Sequence, residues 1–326
     1  MAGFRRRFTI LGCGSSPGVP RINGDWGDCN PDNPKNQRTR AAFMVEQIAP
    51  DGGTTTVVID TGPDLRTQLI AARVTHIDAV LYTHAHADHL HGIDDLRGFF
   101  ISTRKRIPIY ADVATMQRIR DGFPYCLETP PGSNYPPIVE PHLIEDLDAP
   151  ITITGEGGAI SFGPHMQQHG DTHSLGFRIG SVAYCTDVSD FPADSVLKLS
   201  GLDVLVIDTL QYRYHPSHLS MEQALEWIGK LRPRRAILTH MHTPLDYDIV
   251  MRETPEHVEP GYDQMQFELE VSGDLGEVAV EVGGVTGGHG TGRGPGQLPE
   301  RGAVDAAGGP TRCPSCCSGT DSAATA

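Results

Sequence analysis

The sequence predicts an α/β fold, a sandwich of two mixed β-sheets flanked by helices, and three observations carry the prediction. Short runs rich in Val, Ile, Leu and Thr recur in both halves of the chain, with helical patterns interspersed between them. The 326 residues are 38% hydrophobic and 21% charged, which suffices for the interior of one large domain or two small ones. From Gly283 to Ala326 the apolar residues nearly vanish in favour of Gly, Pro, Ala, Ser and Thr. Burial there cannot offset the entropy of ordering. A folded domain is therefore expected over 1–282 and a disordered tail over 283–326.

The elements follow in order. Phe8 to Leu11 reads as a buried strand, and Gly12 to Pro20 as a Gly/Ser/Pro loop. The polar stretch Asn23 to Arg40 is a long loop, a length that is commonly functional inside a compact domain. Ala41 to Gln47 and Thr55 to Asp60 flank Gly52-Gly53 and predict an antiparallel hairpin. Leu65 to Ala72 predicts a helix, Ala79 to Thr83 a buried strand, Ile93 to Phe100 a helix, and Ile107 to Tyr110 a strand. The proline-rich segment Phe123 to Pro150 yields no clear element. Strands are expected near Ile151 to Thr154, Phe177 to Ile179, Val182 to Thr186, Val204 to Asp208 and Ala236 to Thr239. A helix from Ser220 to Leu231 has Ser220 as its N-cap, with Leu225, Ile228 and Leu231 on its apolar face.

Charge and cysteine content narrow the function. The net charge is −15. Such a surface repels polyanions, so no nucleic-acid partner is expected, and the run Arg5-Arg6-Arg7 is too short to reverse this. No run approaches the roughly 20 apolar residues needed to cross a bilayer. The first residues carry too short an apolar stretch for a signal sequence, and the seven cysteines are odd in number and irregularly spaced. A cytoplasmic protein is expected, with no membrane partner. The tail set Cys313, Cys316 and Cys317 reads as incidental.

One cluster carries chemistry. His84, His86, Asp88, His89 and His91 fall within eight residues directly after a buried strand. Imidazole and carboxylate suit zinc, manganese or iron in a hydrolytic centre. At i and i+2, His84 and His86 can face one ion from an extended or turning backbone, while Asp88 and His89 on the next turn address a second. Two ions roughly 3.5–4 Å apart can hold a bridging hydroxide and stabilise attacking and leaving oxygens. His91 lies outside this pattern.

The His84-x-His86-x-Asp88-His89 motif after a strand resembles the signature of the metallo-β-lactamase superfamily, and the similarity runs from about Phe8 to Asp263. That resemblance implies the αββα sandwich, a hydrolase domain over 1–282 and two divalent metal ions, Zn2+ or Mn2+. It also implies a third His, a bridging Asp and a final His. His169 before Ser174-Leu175-Gly176-Phe177 is similar to the third His, with His165 and His173 as competitors. Asp187 resembles the bridging carboxylate. Thr239-His240 resembles the final ligand, and His242 two residues on stays open as the alternative.

Fold alone does not name a substrate. The opening Leu11 to Pro20 is similar to the Gly-rich opening of the phosphodiesterase branch, with Ser15 and Ser16 as substrate contacts. Its glycines allow close backbone approach and its N–H groups can line an anion site. Ser174 to Phe177, Leu245-Asp246-Tyr247 and His218 resemble the cyclic phosphodiesterases of that branch. His218 is then the candidate acid or phosphate contact, and Asp88 shares the proton handling. Cysteines that commonly hold a structural zinc in that branch are reduced here to Cys29, so no such zinc is expected. Arg38 and Arg40 are further candidates for phosphate. The expected function is hydrolysis of a small phosphodiester, with a homodimer left open. A lactone or thioester hydrolase, a tRNA 3′-end endonuclease and a non-catalytic carrier of the same fold are the alternatives.

Overall fold

The computed structural model describes residues 3–271 and 278–280. The expected tail and its three cysteines lie outside the described residues.

The chain opens with β1 (Phe4–Gly12) and, after the long polar loop, the hairpin β2 (Ala42–Ile48) and β3 (Thr54–Ile59). Next come α1 (Leu65–Ala71), β4 (Ala79–Leu81), the one-turn helix α2 (Ala87–Leu90), α3 (Arg97–Thr103) and β5 (Ile107–Ala111). Two helices, α4 (Val113–Gly122) and α5 (Pro124–Leu127), precede β6 (Val139–Leu143), β7 (Ile151–Gly155), β8 (Gly158–His169), β9 (Thr172–Ile179) and β10 (Val182–Cys185). The remainder is α6 (Ala193–Lys198), β11 (Val204–Asp208), α7 (Met221–Leu231), β12 (Arg235–Thr239), α8 (Tyr247–Glu253), β13 (Val258–Pro260), β14 (Met265–Val271) and β15 (Val278–Val280).

Two sheets form. The first runs β15-β14-β1-β2-β3-β4-β5-β6 and the second β13-β12-β11-β10-β9-β8-β7. Both are mixed, with β3-β4-β5-β6 parallel in the first and β10-β11-β12-β13 parallel in the second. Strand period sorts the core. Phe8, Ile10, Phe43, Val45, Val57, Ile59 and Leu81 point between the sheets, where they meet Phe162, Phe177, Tyr184 and Val206. Their neighbours Leu11, Met44, Val58 and Val80 point outward, against Leu65, Leu69, Ile93 and Ile119 of the helical layer. The first sheet is thus apolar on both faces, as a layer covered on both sides must be. Across the sandwich the rings of Phe43 and Tyr184 stack with centroids 4.7 Å apart.

Most expected elements appear, with instructive differences. The expected helix over Ile93 to Phe100 is a 3₁₀ turn, Ile93–Leu96, followed by α3 from Arg97. Strand β8 was not expected. Its period-two burial of Ile160, Phe162 and Pro164 shifts by one residue at Pro164 and continues through His165, Gln167 and His169, and the shift together with those polar residues hides the strand. Within Phe123 to Pro150 lie α5 and β6. Helix α7 has the expected Ser220 cap, completed by Gln223 into a capping box.

Candidate metal centre

Parallel strands in register end at the same level, and that is where the polar side chains gather. Asp60 follows β3, Thr83 and His84 follow β4, Asp187 follows β10, Asp208 ends β11 and His240 follows β12. His169 ends β8 at the tight turn Gly170-Asp171 into β9. The α2 turn adds Asp88 and His89.

These side chains converge. His84, His86, His169 and Asp187 form one group of donor atoms within 4.8 Å of one another, and Asp88, His89, Asp187 and His240 form a second. Asp187 belongs to both. Its Oδ2 lies 3.0 Å from His89 Nε2. Its Oδ1 lies 3.8 Å from His84 Nε2 and His169 Nε2 and 3.5 Å from His240 Nε2. Asp88 Oδ2 is 3.4 Å from His89 Nε2 and 3.6 Å from His240 Nε2. A third group joins Asp187 and His240 to Asp208 and His218.

Hydrogen bonds behind the rings fix which nitrogen faces inward. The Thr83 hydroxyl donates to Asp60 Oδ2 at 2.8 Å, so the 3.0 Å contact with His84 requires His84 Nδ1–H to donate. His89 Nδ1–H donates to Asp60 Oδ2 at 2.7 Å, and His169 Nδ1–H to the Ser217 carbonyl at 2.7 Å. Each of the three rings therefore turns Nε2 toward the centre, as metal-bound imidazoles do when a carboxylate or carbonyl holds their other nitrogen.

The residues fit divalent metal. Among the described residues, His84 Nε2, Asp88 Oδ2, His89 Nε2 and His240 Nε2 are buried without a hydrogen-bond partner. Each orphaned polar atom costs about 1–3 kcal/mol unless something satisfies it, and imidazole with carboxylate is a donor set for divalent metal. The electrostatics agree. Burial opposes a charge on His89, yet Asp187, Asp88 and Asp60 raise its pKa well above the usual range. Burial also works against the carboxylates, but His89 and His240 hold Asp88 low, and His240, His89 and His84 hold Asp187 well below its usual value. Burial, then His89, depresses His84. The pocket demands positive charge.

The remaining candidates divide. His242 does not join either group. Arg21 Nη2 can only donate, and it lies 2.7 Å from His242 Nε2, which uses that lone pair. His242 Nδ1–H then donates to Ser15 Oγ at 2.9 Å. The metal role expected for His242 is thereby corrected, because neither ring nitrogen is free and the side chain lies at the rim with Ser15. Ser15 is buried, with its N–H on the Met241 carbonyl, whereas Ser16 is exposed and its carbonyl accepts from Arg40 Nε. His165 is buried against Cys185, His173 pairs with Asp112, and His91 packs on Phe123, all outside the centre. Arg38 is not exposed. Its guanidinium is buried, donating to the Leu245 carbonyl and to Asn36 Oδ1, and Arg40 pairs with Asp64. The Cys29 thiol donates to the carbonyls of Thr243 and Leu245. His218 lies beside the centre with Nδ1–H on Asp208 Oδ2 at 2.7 Å. Asp60 and Asp208 were not singled out from the sequence. The signal was there, since each closes an apolar strand with a carboxylate.

Comparison with known proteins agrees with this geometry. A model of the Beta-lactamase superfamily domain matches residues 55–241. A solved diphosphatase from the PhnP family is 33% identical, with 82% of this chain and 98% of that chain covered and a TM-score of 0.72. The Zn2+-bound PqqB of Methylobacterium extorquens shares the fold at 16% identity and a TM-score of 0.62, over 80% of this chain and 99% of that one. An octanoyltransferase of Porphyromonas gingivalis (strain ATCC BAA-308 / W83) is 32% identical over 270 residues, 82% of this chain, and the chain spans about half (52%) of that relative's length. The chain belongs to the metallo-β-lactamase superfamily, in the phosphodiesterase branch that includes the PhnP family.

Proposed function

We propose that the chain is a metal-dependent phosphodiesterase acting on a small phosphodiester. One observation carries the reading: two groups of converging donor atoms share the carboxylate of Asp187, with the His218–Asp208 pair beside them. His84, His86, His169 and Asp187 would hold one divalent ion, and Asp88, His89, Asp187 and His240 the other. Bound there, zinc or manganese neutralises phosphoryl charge and makes water acidic enough to attack at neutral pH.

The chain's own groups do the rest. Asp88 keeps its expected share of the proton handling, since its carboxylate lies within the second group of donors, 3.4 Å from His89 Nε2 and 3.6 Å from His240 Nε2, beside the place where water would be activated. Burial disfavours the His218 cation, but Asp208, with Asp187 behind it, raises its pKa to about 9. His218 Nε2–H then stands 4.0 Å from Asp187 Oδ1 as a proton donor for a departing alkoxide. At the rim, Ser15 Oγ accepts from His242, which leaves its own hydroxyl hydrogen for a phosphoryl oxygen.

The diphosphatase relative, matched over nearly its whole length, supports phosphorus chemistry. The octanoyltransferase is about twice as long as the matched segment, so its name does not carry over. Metal analysis followed by parallel assays on bis(p-nitrophenyl) phosphate, a 2′,3′-cyclic nucleotide and a lactone tests the proposal. Turnover of the lactone alone, or of nothing with both ions bound, refutes it.

A further inference from the structure

The segment Gln211–Ser217 leads from Asp208 to His218, and its end borders the centre, where the Ser217 carbonyl meets His169. Within it His215 is half-buried, its ring centroid 5.3 Å from that of His218. The backbone N–H of Ser217 can only donate, and it lies 3.3 Å from His215 Nδ1, with the Ser217 hydroxyl 3.1 Å from the same atom. Nδ1 must therefore supply a lone pair, and the hydrogen of the neutral ring sits on Nε2. Among the described residues, Nε2 has no hydrogen-bond partner. The Ser217 carbonyl does the reverse to His169, taking its Nδ1–H and turning a lone pair inward. One residue thus sets two histidines in opposite senses. His169 presents an acceptor to a cation and His215 presents a donor.

From this arrangement we infer that His215 is a substrate-positioning residue, whose Nε2–H donates to a second oxygen of the leaving alcohol. The inference rests on the phosphodiesterase reading, in which His218 serves the departing oxygen itself. A donor one ring away meets the next polar atom along that alcohol. It selects phosphodiesters of oxygen-bearing alcohols, such as sugars and nucleosides, over aryl esters that offer no acceptor there. Burial and the neighbouring His218 both push the His215 pKa down, which keeps the ring neutral and the donor in place.

Two measurements on the full-length, metal-loaded enzyme test this. Long-range ¹⁵N–¹H spectra should show His215 as the Nε2–H tautomer. His215→Phe should lower kcat/KM on 2′,3′-cyclic AMP by about fivefold to tenfold, the loss of one substrate hydrogen bond, mainly through KM. On bis(p-nitrophenyl) phosphate it should stay within about twofold of wild type. His215→Gln, which restores an N–H donor, should recover most of the loss. An Nδ1–H tautomer, or equal losses on both esters, overturns the inference alone. Wild-type inactivity on both esters overturns it together with the phosphodiesterase reading.

Discussion

Replacing Asp208 with Asn removes a charge while keeping a carbonyl oxygen to accept the bond from His218 Nδ1–H. In the native protein that bond is 2.7 Å long and both partners are buried. Burial pulls the His218 pKa down, but Asp208 and Asp187 outweigh it and lift the value from 6.5 to about 9. That difference corresponds to about 3 kcal/mol favouring the imidazolium. At pH 8 a group with pKa 9 is about 90% protonated, and one at 6.5 about 3%. Burial takes the variant lower still. A step needing the His218 proton should therefore slow about thirtyfold or more at pH 8 in Asp208→Asn. At pH 6 the variant should recover to within a fewfold of wild type. Bound cations lower both values together, so the separation between the two pH profiles is the quantity to read. The assay is kcat for 2′,3′-cyclic AMP, whose leaving group is an alkoxide that needs a proton, from pH 6 to 9, with metal content measured at each point. Superimposable profiles at equal metal content would refute the assigned role of the pair. A second consequence has a definite sign. Because the folded pKa is raised, the stability contributed by His218 is full below 6.5 and is lost as pH rises through 9. In metal-free protein, unfolding midpoints of wild type should fall over that window more than those of Asp208→Asn.

Three further outcomes follow from the geometry. His242→Ala should retain the full complement of bound metal by elemental analysis, because both its nitrogens serve Arg21 and Ser15; loss of one ion would return His242 to the ligand set. Metal binding must expel the proton that Asp187, Asp88 and Asp60 hold on His89, so affinity should rise with pH by up to about tenfold per unit for each proton displaced. Calorimetry in two buffers of different ionisation enthalpy should register that release, and its absence would contradict a charged His89. Gly170 has φ 64°, and a Cβ there would stand 2.9 Å from Ser217 Cβ. Gly170→Ala should cost at least about 1–2 kcal/mol for the left-handed backbone alone, seen as a melting point lower by about 2–6 °C, and an unchanged melting point would show that the turn relaxes freely.

What could be read from the sequence depended on whether a signal was local. The strand that ends at Leu81 and the ligand types just behind it sit together in the chain, so the His84 to His89 cluster announced itself. Helix α7 did likewise through Ser220 and its apolar spacing. His169 and Asp187 came from the resemblance to a family motif, and the structure brings both to the cluster. The pair His240 and His242 was undecidable from spacing, since extended residues two apart face one way. The decision came from Arg21, more than 200 residues earlier, whose guanidinium claims His242. Arg38 shows the same limit. An arginine in a polar loop reads as a phosphate contact, but the carbonyl of Leu245, from a distant segment, and the side chain of nearby Asn36 make a buried place for it. Strand β8 was hidden for a different reason, because its polar residues at the end are spent on the site rather than on an apolar face.

The backbone carries a cost that explains why these residues, and not others, hold the centre. Asp60, Asp187 and His240 each stand directly or two residues after a strand, and each has a left-handed φ, of 68°, 54° and 58°. Continued extension would send each side chain to a face of its sheet, into the sandwich core or the helical layer. A left-handed residue instead breaks the alternation where the strand ends. Glycine would adopt that turn freely but brings no ligand atom, so a carboxylate or imidazole must accept about 1–2 kcal/mol of strain at each position. For Asp60 the compensation is visible: it accepts from Thr83 N–H, the Thr83 hydroxyl and His89 Nδ1–H, and through them orients both His84 and His89. Asp60→Gly would relieve the strain yet leave His89 without the bond that aims it and release the Thr83 hydroxyl to which His84 donates. Such a variant should lose metal even if its melting point holds. Three strained turns at one end of the sandwich are tolerated because the apolar core over-determines where the strands end, with Ile59 of the first sheet and Cys185 and Leu238 of the second fully buried between the sheets, so the cation site is stabilised from below by packing that touches no ligand.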